Sequence, residues 1–404
     1  MADIYSHIKE LGMLNIRSNS WFADNLSWAT AMTELGNAFG DLGYNFLPVS
    51  TNGMNERLFK KPNIMVRSIL ELEKLKRSNI PVDIEIVFTV PQNFPQRFLP
   101  SSKHKAAIYA FEFLHWSKHW KQFYHLADHY FPPSNFAAEV FYHNGVPQDR
   151  IFVVPHGVDV EKFNPSVPPI KLKTQKSFKF CSVVAPHSRK RIDIMLKAYC
   201  SAFTAQDDVC LVLKTKLYRK NDTKQAYEIC VGDYLDELKR RYGPQMPEIE
   251  IIDQRVDSVA SIYNNCHVHI STTGSECFLI PALECMNCGI KGNMFNIVTN
   301  YSGHLDFLNT KNSLLVNYKM IAAKKEDQYW GFDPRNKIAQ ADQNHTSELM
   351  LKSYNEYDTL LEQFRPEIKR TVEKYSWKNA AQKMIDVCDG KVDPYVPGTV
   401  KIPK

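Results

Sequence analysis

Two glutamates that flank a proline give the strongest chemical signal in this sequence. Glu276 and Glu284 lie on either side of Pro281, in a small polar stretch that follows an apolar strand predicted over 267–270. Because proline suits the first turn of a helix, the pattern predicts a loop at a helix N-terminus. Such a terminus attracts phosphate, and carboxylates beside it accept hydrogen bonds from hydroxyl groups. The stretch therefore favours a site for a sugar joined to a nucleotide diphosphate.

Basic residues follow two further predicted strands. Arg189 and Lys190 come after a strand predicted over 178–184, and Lys214 ends a strand predicted over 209–214. Ligands of doubly wound sheets bind at the carboxyl ends of the strands, where a cation can neutralise charge that builds on a leaving diphosphate. Adjacent side chains point in different directions, so we expect one of Arg189 and Lys190 to face the site. The alternative is a solvated basic turn.

Four segments resemble glycosyltransferase family 4, whose members are retaining enzymes of the GT-B fold. The stretch 276–289 is similar to the donor-site signature Glu-Gly-Phe-Gly-Leu-Pro-x-Leu-Glu-Ala-Met-x-Cys-Gly, and 189–193 is similar to the phosphate-binding turn Arg-Lys-Gly-x-Asp. Residues 128–165 resemble the last strand of the N-terminal domain and the crossover, and 375–377 resemble the start of the returning helix. The segments occur in the order that the family shows.

The resemblance implies transfer of a hexose, with retention, from a nucleotide diphosphate sugar to a hydroxyl of a glycan, glycoconjugate or lipid-linked acceptor. It implies no metal and no other cofactor. Lys190, assisted by Arg189 or Lys214, would hold the diphosphate, Glu276 the transferred sugar and Glu284 the ribose. The donor loop would contribute Ser275, Cys277, Phe278 and Leu279.

In the first half of the chain, Glu112 and His115 follow a strand predicted over 106–111. In the family, a residue near this point reaches the transferred sugar or the acceptor, which makes both of them candidate catalytic residues. A surface or helix-capping role is the alternative for each, and His119 and His125 compete with His115.

The donor loop also departs from the family signature, because Cys277 and Leu279 stand where the signature has glycine. Glycine lets a backbone approach phosphate closely. This departure leaves two alternatives open: a catalytically degenerate GT-B protein that binds sugars or a partner, and a synthase or phosphorylase of the same architecture.

The length of 404 residues suits two α/β domains better than one core. We expect the GT-B arrangement of two Rossmann-like doubly wound domains with an interdomain cleft. Their limits are predicted at 1–165, completed by a C-terminal helix at about 378–392, and at 166–377. A proline-rich segment over 164–176 is the predicted interdomain linker. The apolar periodicity and punctuation also predict a polar loop over 18–27 and helices over 64–77, 116–127 and 256–265.

Composition limits the partners. With 50 basic and 44 acidic residues, the net charge of +6 suits a nucleotide diphosphate, an anionic acceptor or a peripheral membrane contact, and it is too weak to favour nucleic acid. The chain has neither a signal-peptide pattern nor an apolar run of 18 residues, so we expect a cytoplasmic protein. The oligomeric state is open.

The nine cysteines are predicted to be reduced thiols, since most lie in apolar segments. Cys285 and Cys288 form a Cys-x-x-Cys pair, for which a metal or redox site is the alternative. No second Cys-x-x-Cys pair accompanies them, so the sequence favours buried thiols.

Overall fold

The computed structural model describes residues 14–22, 27–50, 59, 82–328, 333–400 and 402. They form two compact units, and the element labels below count described elements only. The first unit comprises the described parts of Met1–Phe111, Trp116–Gly157 and Tyr375–Ile402, and the second comprises Glu112–His115 and Val158–Lys374. A helix predicted over 64–77 lies outside the described residues.

The first unit contains a parallel sheet of five strands in the order β2-β1-β3-β4-β5. The strands are β1 Asn15–Ser20, β2 Asn45–Ser50, β3 Ile84–Phe88, β4 His104–Ile108 and β5 His129–Tyr130. The polar loop predicted over 18–27 begins later than expected, because Ser18 and Ser20 are buried within β1. β1 lies between two neighbouring strands, where the hydroxyls of Ser18 and Ser20 lie 2.9 Å apart and Ser20 accepts the backbone N–H of Phe88 on β3.

The helices of the first unit are α1 Ser27–Asp41, α2 Phe94–Arg97, α3 Asn135–His143 and, from the end of the chain, α10 Trp377–Cys388. The segment predicted as a helix over 116–127 instead forms a 3₁₀ helix, Lys118–Leu126. Its rings pack tightly: Trp120 lies 5.3 Å from Phe111 between ring centroids, and Trp116 lies 4.9 Å from Phe141. These tertiary contacts outweigh the local preference for α-helix.

α10 returns to the first unit and packs against α1. Ser376 caps it by accepting a hydrogen bond from the backbone N–H of Asn379 at 3.1 Å. A Cβ atom on Gly157 would lie 2.1 Å from the backbone nitrogen of Trp377, so only glycine fits where the two segments meet.

The second unit contains a parallel sheet of six strands in the order β11-β10-β9-β6-β7-β8. The strands are β6 Phe178–Val183, β7 Val209–Lys214, β8 Glu248–Ile252, β9 Val268–Ser271, β10 Phe295–Thr299 and β11 Ser313–Val316. A separate antiparallel pair is formed by β12 Tyr318–Ala322 and β13 Lys337–Ala341. β7 and β9 are almost wholly buried, as expected for strands whose two faces are covered.

The helices of the second unit are α4 Ile192–Ala202, α5 Val231–Tyr242, α6 Ala260–Tyr263, α7 Ile280–Met286, α8 Gln343–Asn355 and α9 Tyr357–Lys374. α6 is shorter than the predicted 256–265. In the described ranges, no helix is both long enough and apolar enough to cross a bilayer.

Residues 164–176, the predicted linker, are bound to the second unit. The side chain of Asn264 donates hydrogen bonds to the carbonyls of Asn164 and Val167, at 2.9 and 2.8 Å. The backbone N–H of Thr174 donates to Glu250 at 2.8 Å. Apart from Glu112–His115, the second unit begins at Val158, whereas the limit predicted from the sequence is residue 166.

Candidate functional site

The sheet of the second unit has a topological switch point between β6 and β9. These two strands are neighbours, and the chain continues from β6 towards β7 on one side and from β9 towards β10 on the other. In such sheets the crevice outside the carboxyl ends of the two central strands is the usual ligand site. The loops that follow β6 and β9 contain Lys190 and Glu276, respectively.

Hydrogen bonds join the two loops. The backbone N–H of Gly274 donates to the carbonyl of Arg189, and the hydroxyl of Thr272 donates to the carbonyl of Arg191, both at 2.8 Å. A Cβ atom at Gly274 would lie 2.9 Å from the carbonyl oxygen of Ala339 on β13, so the loop after β9 is tightly enclosed. The side chains of the two loops are therefore held at a fixed separation.

Three residues other than glycine adopt positive φ angles in the described chain, and all three lie in this region. They are Arg191 at 51°, Leu279 at 70° and Ser302 at 85°. Arg191 and Leu279 occupy the glycine positions of the two family motifs quoted above. Left-handed backbone costs an ordinary residue about 1–2 kcal/mol, and such strain tends to cluster at functional sites. The backbone shape that glycine permits is thus retained without the glycine.

A group of four charged residues, here termed the acid–base cluster, lies where the loops meet: the buried Glu112, Arg189 and Glu276 and the half-buried Lys190. Arg189 donates a 2.7 Å hydrogen bond to Glu112 and lies 3.3 Å from Glu276. Lys190 donates to Glu276 as a close ion pair. The fixed loop geometry places two cations and two carboxylates in direct contact.

Neutral groups hold Glu276 and Glu112 in place. Thr273 donates its hydroxyl to Glu276 at 2.8 Å, and Ser302 accepts the backbone N–H of Glu276 at 2.8 Å. Ser275 donates its hydroxyl to the carbonyl of Glu112 at 2.7 Å. Glu112 is 77 residues away from Arg189 in sequence, so this constellation depends on the fold.

Burial and charge act in opposite directions on the two carboxylates. Burial alone would raise the pKa of Glu276, but Lys190, Arg189 and the hydrogen bonds from Lys190 and Thr273 more than offset it and lower the pKa to about 2. For Glu112, burial outweighs the attraction of Arg189 and raises the pKa. Burial also lowers the pKa of Lys190, although Glu276 opposes this shift. Glu276 is therefore the firmly ionised member of the cluster.

Two histidines flank the acid–base cluster. Burial, together with the nearby charges of Arg189 and Lys190, lowers the pKa of His187 to about 3. Burial also lowers the pKa of His304, whose Nε2 lies 2.7 Å from the carbonyl oxygen of Thr299. The neutral ring of His304 then donates from Nε2 and presents Nδ1 as an acceptor.

Two buried acceptor atoms beside the cluster have no hydrogen-bond partner within the described part of the chain. They are Oε2 of Glu112 and Nδ1 of His304. An unpaired buried polar atom costs about 1–3 kcal/mol. A bound molecule that carries hydroxyl groups would relieve this cost.

The remaining predicted residues lie around the cluster. Lys214 is half-buried at the end of β7, and the charged groups that act on it are Lys216 and Asp253. The backbone of His115 exchanges hydrogen bonds with the side chain of Asn336, at 2.8 and 2.9 Å. Neither residue joins the four clustered charges.

The donor loop is mostly buried. Cys277 and Leu279 are buried, and Phe278 packs on Phe307 at 4.8 Å between ring centroids. Glu284 is half-buried on α7, and its charge contributes to the raised pKa values of Tyr263 and the thiols nearby. It lies outside the four clustered charges.

Sequence reasoning did not assign roles to Thr273, Ser302, His187 and His304. Thr273 and Ser302 carry no charge, and the histidines follow no recognisable spacing. The detectable signal was positional, since Thr273 follows β9 and Ser302 follows β10.

All nine cysteines are free thiols. In the Cys-x-x-Cys pair, the Cys285 thiol donates to the carbonyl of Ala282 at 3.2 Å and lies 3.3 Å from the amide oxygen of Asn296. Burial raises the pKa of Cys285 and, to about 12, that of Cys288. Both thiols are therefore protonated at neutral pH.

Solved structures share this fold over nearly the whole chain. A glycosyltransferase from Rickettsia africae is 14% identical, with a TM-score of 0.65 over 94% of this chain and 99% of that protein. HepE from Anabaena, solved with UDP, is 12% identical, with a TM-score of 0.66 over 93% and 100%. Sucrose-phosphate synthase from Thermosynechococcus elongatus is 13% identical, with a TM-score of 0.63 over 93% and 98%. These likenesses confirm the GT-B fold.

A family model described as Glycosyltransferase Family 4 matches residues 67–162. No curated protein matches the chain by sequence. The fold and the family match, which covers residues 67–162 of 404, make the chain similar to glycosyltransferases of the GT-B type. The resemblance to glycosyltransferase family 4 is confirmed.

Proposed function

We propose that this protein transfers a hexose from a nucleotide diphosphate sugar to an acceptor hydroxyl, with retention at the anomeric carbon. The observation that carries the proposal is the contact between Lys190 and Glu276, which follow β6 and β9 at the switch point of the second unit. One contact thus joins a cation suited to phosphate with a carboxylate suited to sugar hydroxyls.

Lys190 is the proposed ligand of the leaving diphosphate. It is half-buried, and Arg189 beside it bonds to Glu112 and to the carbonyl of Ser275. α7 has seven residues, about two turns, so its dipole adds little and the side chains must supply most of the positive charge. In the transition state, the ammonium group of Lys190 would shift from Glu276 towards the departing phosphate oxygens and stabilise their negative charge.

Acceptor groups support recognition of a hexose. Glu276, Oε2 of Glu112 and Nδ1 of His304 can each accept a hydrogen bond from a sugar hydroxyl. The electrostatic influence of Glu276 reaches both Glu112 and His304, so the three groups share one neighbourhood. HepE has been solved with UDP-glucose, which makes UDP and glucose the first donor components to test.

The proposed transfer needs no metal and no other cofactor. Arg189 and Lys190 already neutralise the two carboxylates that a divalent cation would require. The departing phosphate oxygen can itself take the proton of the acceptor hydroxyl, so a separate general base is not needed. Glu284 remains the proposed ribose ligand.

A reducing compartment such as the cytoplasm is proposed from the nine free thiols. The proposed acceptors are glycans, glycoconjugates or lipid-linked sugars, so the protein would act in glycan biosynthesis.

A thermal-shift screen tests the donor site. The purified full chain would be incubated, without metal, with UDP, GDP and ADP and with their hexose conjugates. A ligand at about 100 times its dissociation constant adds roughly 2.7 kcal/mol to the unfolding free energy. We expect one nucleotide to be selected and its sugar conjugate to be hydrolysed slowly.

Glu276→Gln distinguishes recognition of the sugar from recognition of the nucleotide. This variant should keep the shift with the nucleoside diphosphate and lose donor hydrolysis. Glu362→Gln, an exposed substitution on α9, is the matched control and should behave like the wild type. Binding without turnover across a panel of acceptors would identify a non-catalytic sugar-binding protein, and no shift with any nucleotide would refute the donor site.

A further inference from the structure

Two histidines and a cysteine meet at the edge of the first unit's sheet that lies opposite the carboxyl ends of its strands. His104 is the first residue of β4, His129 is the first residue of β5, and Cys388 is the last residue of α10. One candidate ligand atom from each lies within 4.8 Å of the other two. These residues are here called the His–His–Cys cluster.

The sheet fixes the two histidines on one face. His129 pairs in register with Ala106, two residues after His104, and side chains two residues apart on a strand share a face. The imidazole rings lie 5.5 Å apart between centroids, with Nε2 of His129 3.4 Å from Nδ1 of His104. Tetrahedral zinc, with Zn–N bonds of about 2.0–2.1 Å, separates two nitrogen ligands by about 3.3 Å.

Cys388 approaches from a different element. A tetrahedral site with a Zn–S bond of about 2.3 Å places sulfur about 3.6 Å from each nitrogen. Since the spacing is at most 4.8 Å, zinc binding would require the sulfur to move by no more than about 1 Å towards the two nitrogens. Thiolate together with imidazole is a ligand set that suits zinc.

The hydrogen bonding of His129 is poor without such an ion. Its Nδ1 is buried and has no hydrogen-bond partner within the described part of the chain. Its Nε2 faces only the other imidazole nitrogen, at a long 3.4 Å. Coordination of one ring nitrogen would relieve part of this cost.

One carboxylate and one guanidinium act on the His–His–Cys cluster. The carboxylate of Asp128 acts on both His129 and Cys388, while Arg150 acts on His129 with the opposite sign. Asp128 also accepts the backbone N–H of Lys105 at 2.9 Å, which holds it beside the first residue of β4. This carboxylate, or water, could supply a fourth ligand.

We propose that the His–His–Cys cluster is a structural zinc site that ties α10 to the sheet of the first unit. The ion would link the start of two neighbouring strands to the last residue of a helix that arrives from the end of the chain. The site is separate from the acid–base cluster and does not depend on the proposed transfer reaction. Binding would release the proton of the Cys388 thiol, since thiolate is the ligand form.

Metal analysis of the untagged full chain tests the proposal. The protein would be loaded with Zn²⁺, desalted and measured by inductively coupled plasma mass spectrometry. We expect about one zinc per chain, with at least about tenfold weaker binding in Cys388→Ser and in His104→Ala. Cys200→Ser, at a buried cysteine on α4, and His125→Ala, at an exposed histidine, are matched controls and should retain zinc.

Cobalt supplies a readout that is independent of affinity. Co²⁺ in this site should show a thiolate-to-metal charge-transfer band, absent in Cys388→Ser and present in Cys200→Ser. A chelator should lower the melting temperature of the wild type and leave that of His104→Ala unchanged, with circular dichroism confirming that each variant is folded. Retention of less than a tenth of an equivalent of zinc by the wild type, or equal retention by ligand and control variants, would overturn the proposal.

Discussion

Each unit of this protein contains an ion pair with a buried carboxylate, but the two pairs differ in position and in surroundings. Arg17 and Glu85 are register partners on β1 and β3, within the sheet of the first unit. Lys190 and Glu276 lie in the loops beyond the strands of the second unit. The first pair lies among regular strands, whereas the second lies in loops beyond the carboxyl ends of the strands.

The partners of the two carboxylates explain the difference. Glu85 also accepts hydrogen bonds from the backbone of Leu99 and the hydroxyl of Ser102, both at 2.7 Å. Burial lowers the pKa of Arg17 to about 10. Around the second pair, by contrast, Oε2 of Glu112 and Nδ1 of His304 lack partners among the described residues. Glu85 thus takes Arg17 on one oxygen and two further donors on the other, which suits a pair that holds a sheet together. The acceptors left open beside the second pair suit the proposed binding site.

The largest effect is expected on stability in the first unit. Glu85→Ala leaves the Arg17 guanidinium buried without its counter-ion and should lower the unfolding free energy by about 3–5 kcal/mol, measured by urea denaturation. Replacing both residues, as Arg17→Met with Glu85→Leu, should recover most of this loss. A loss below about 1 kcal/mol in the single variant would contradict the structural role of the pair.

In the second unit, the main effect should fall on turnover. Lys190→Ala and Glu276→Ala should each slow transfer at least roughly tenfold, about 1.4 kcal/mol of barrier, because each removes a proposed ligand of the donor. Initial rates at saturating donor would measure this. Lys216→Ala, at an exposed lysine, is the control and should keep the wild-type rate. Near-normal rates in both site variants would contradict the assignment of Lys190 and Glu276 to the donor site.

The left-handed backbone at Leu279 should have a smaller effect, which appears as a difference in stability between two variants. At an ordinary position alanine is more stable than glycine by about 0.5–1 kcal/mol. At φ 70° the order should reverse. The unfolding free energy of Leu279→Gly, measured by denaturant titration, should therefore exceed that of Leu279→Ala by about 1 kcal/mol. Both variants lose the same buried side chain, and the comparison isolates the backbone. The usual order of the two variants would contradict the left-handed conformation.

The smallest signal is a difference between two pH profiles. The folded pKa of Glu276, about 2, lies below its ordinary value of 4.5. Its contribution to stability is therefore present above pH 4.5 and is lost as the pH falls towards 2. Glu276→Gln should flatten the acid limb of the unfolding free energy in this window. If the unfolding free energy of the variant and of the wild type fell equally at acid pH, the ionised carboxylate would contribute nothing to stability.

Local patterns in the sequence predicted several elements well. The strand predicted over 209–214 is β7, and Pro281 lies in the first turn of α7. Lys190 and Glu276 were singled out from family motifs, and the structure brings them into contact. The 3₁₀ helix Lys118–Leu126 was missed, because ring packing against distant residues determined its geometry.

The sequence by itself determined the two parallel α/β units and the motif residues, because apolar periodicity and loop chemistry are local properties of the chain. Only the tertiary structure decided which residues surround them. It brought Glu112 into contact with Arg189 and placed His304 beside the acid–base cluster. It also brought ligand atoms of His104, His129 and Cys388 within 4.8 Å of one another. These contacts follow from the order of strands in each sheet and from the return of α10, neither of which any local pattern encodes.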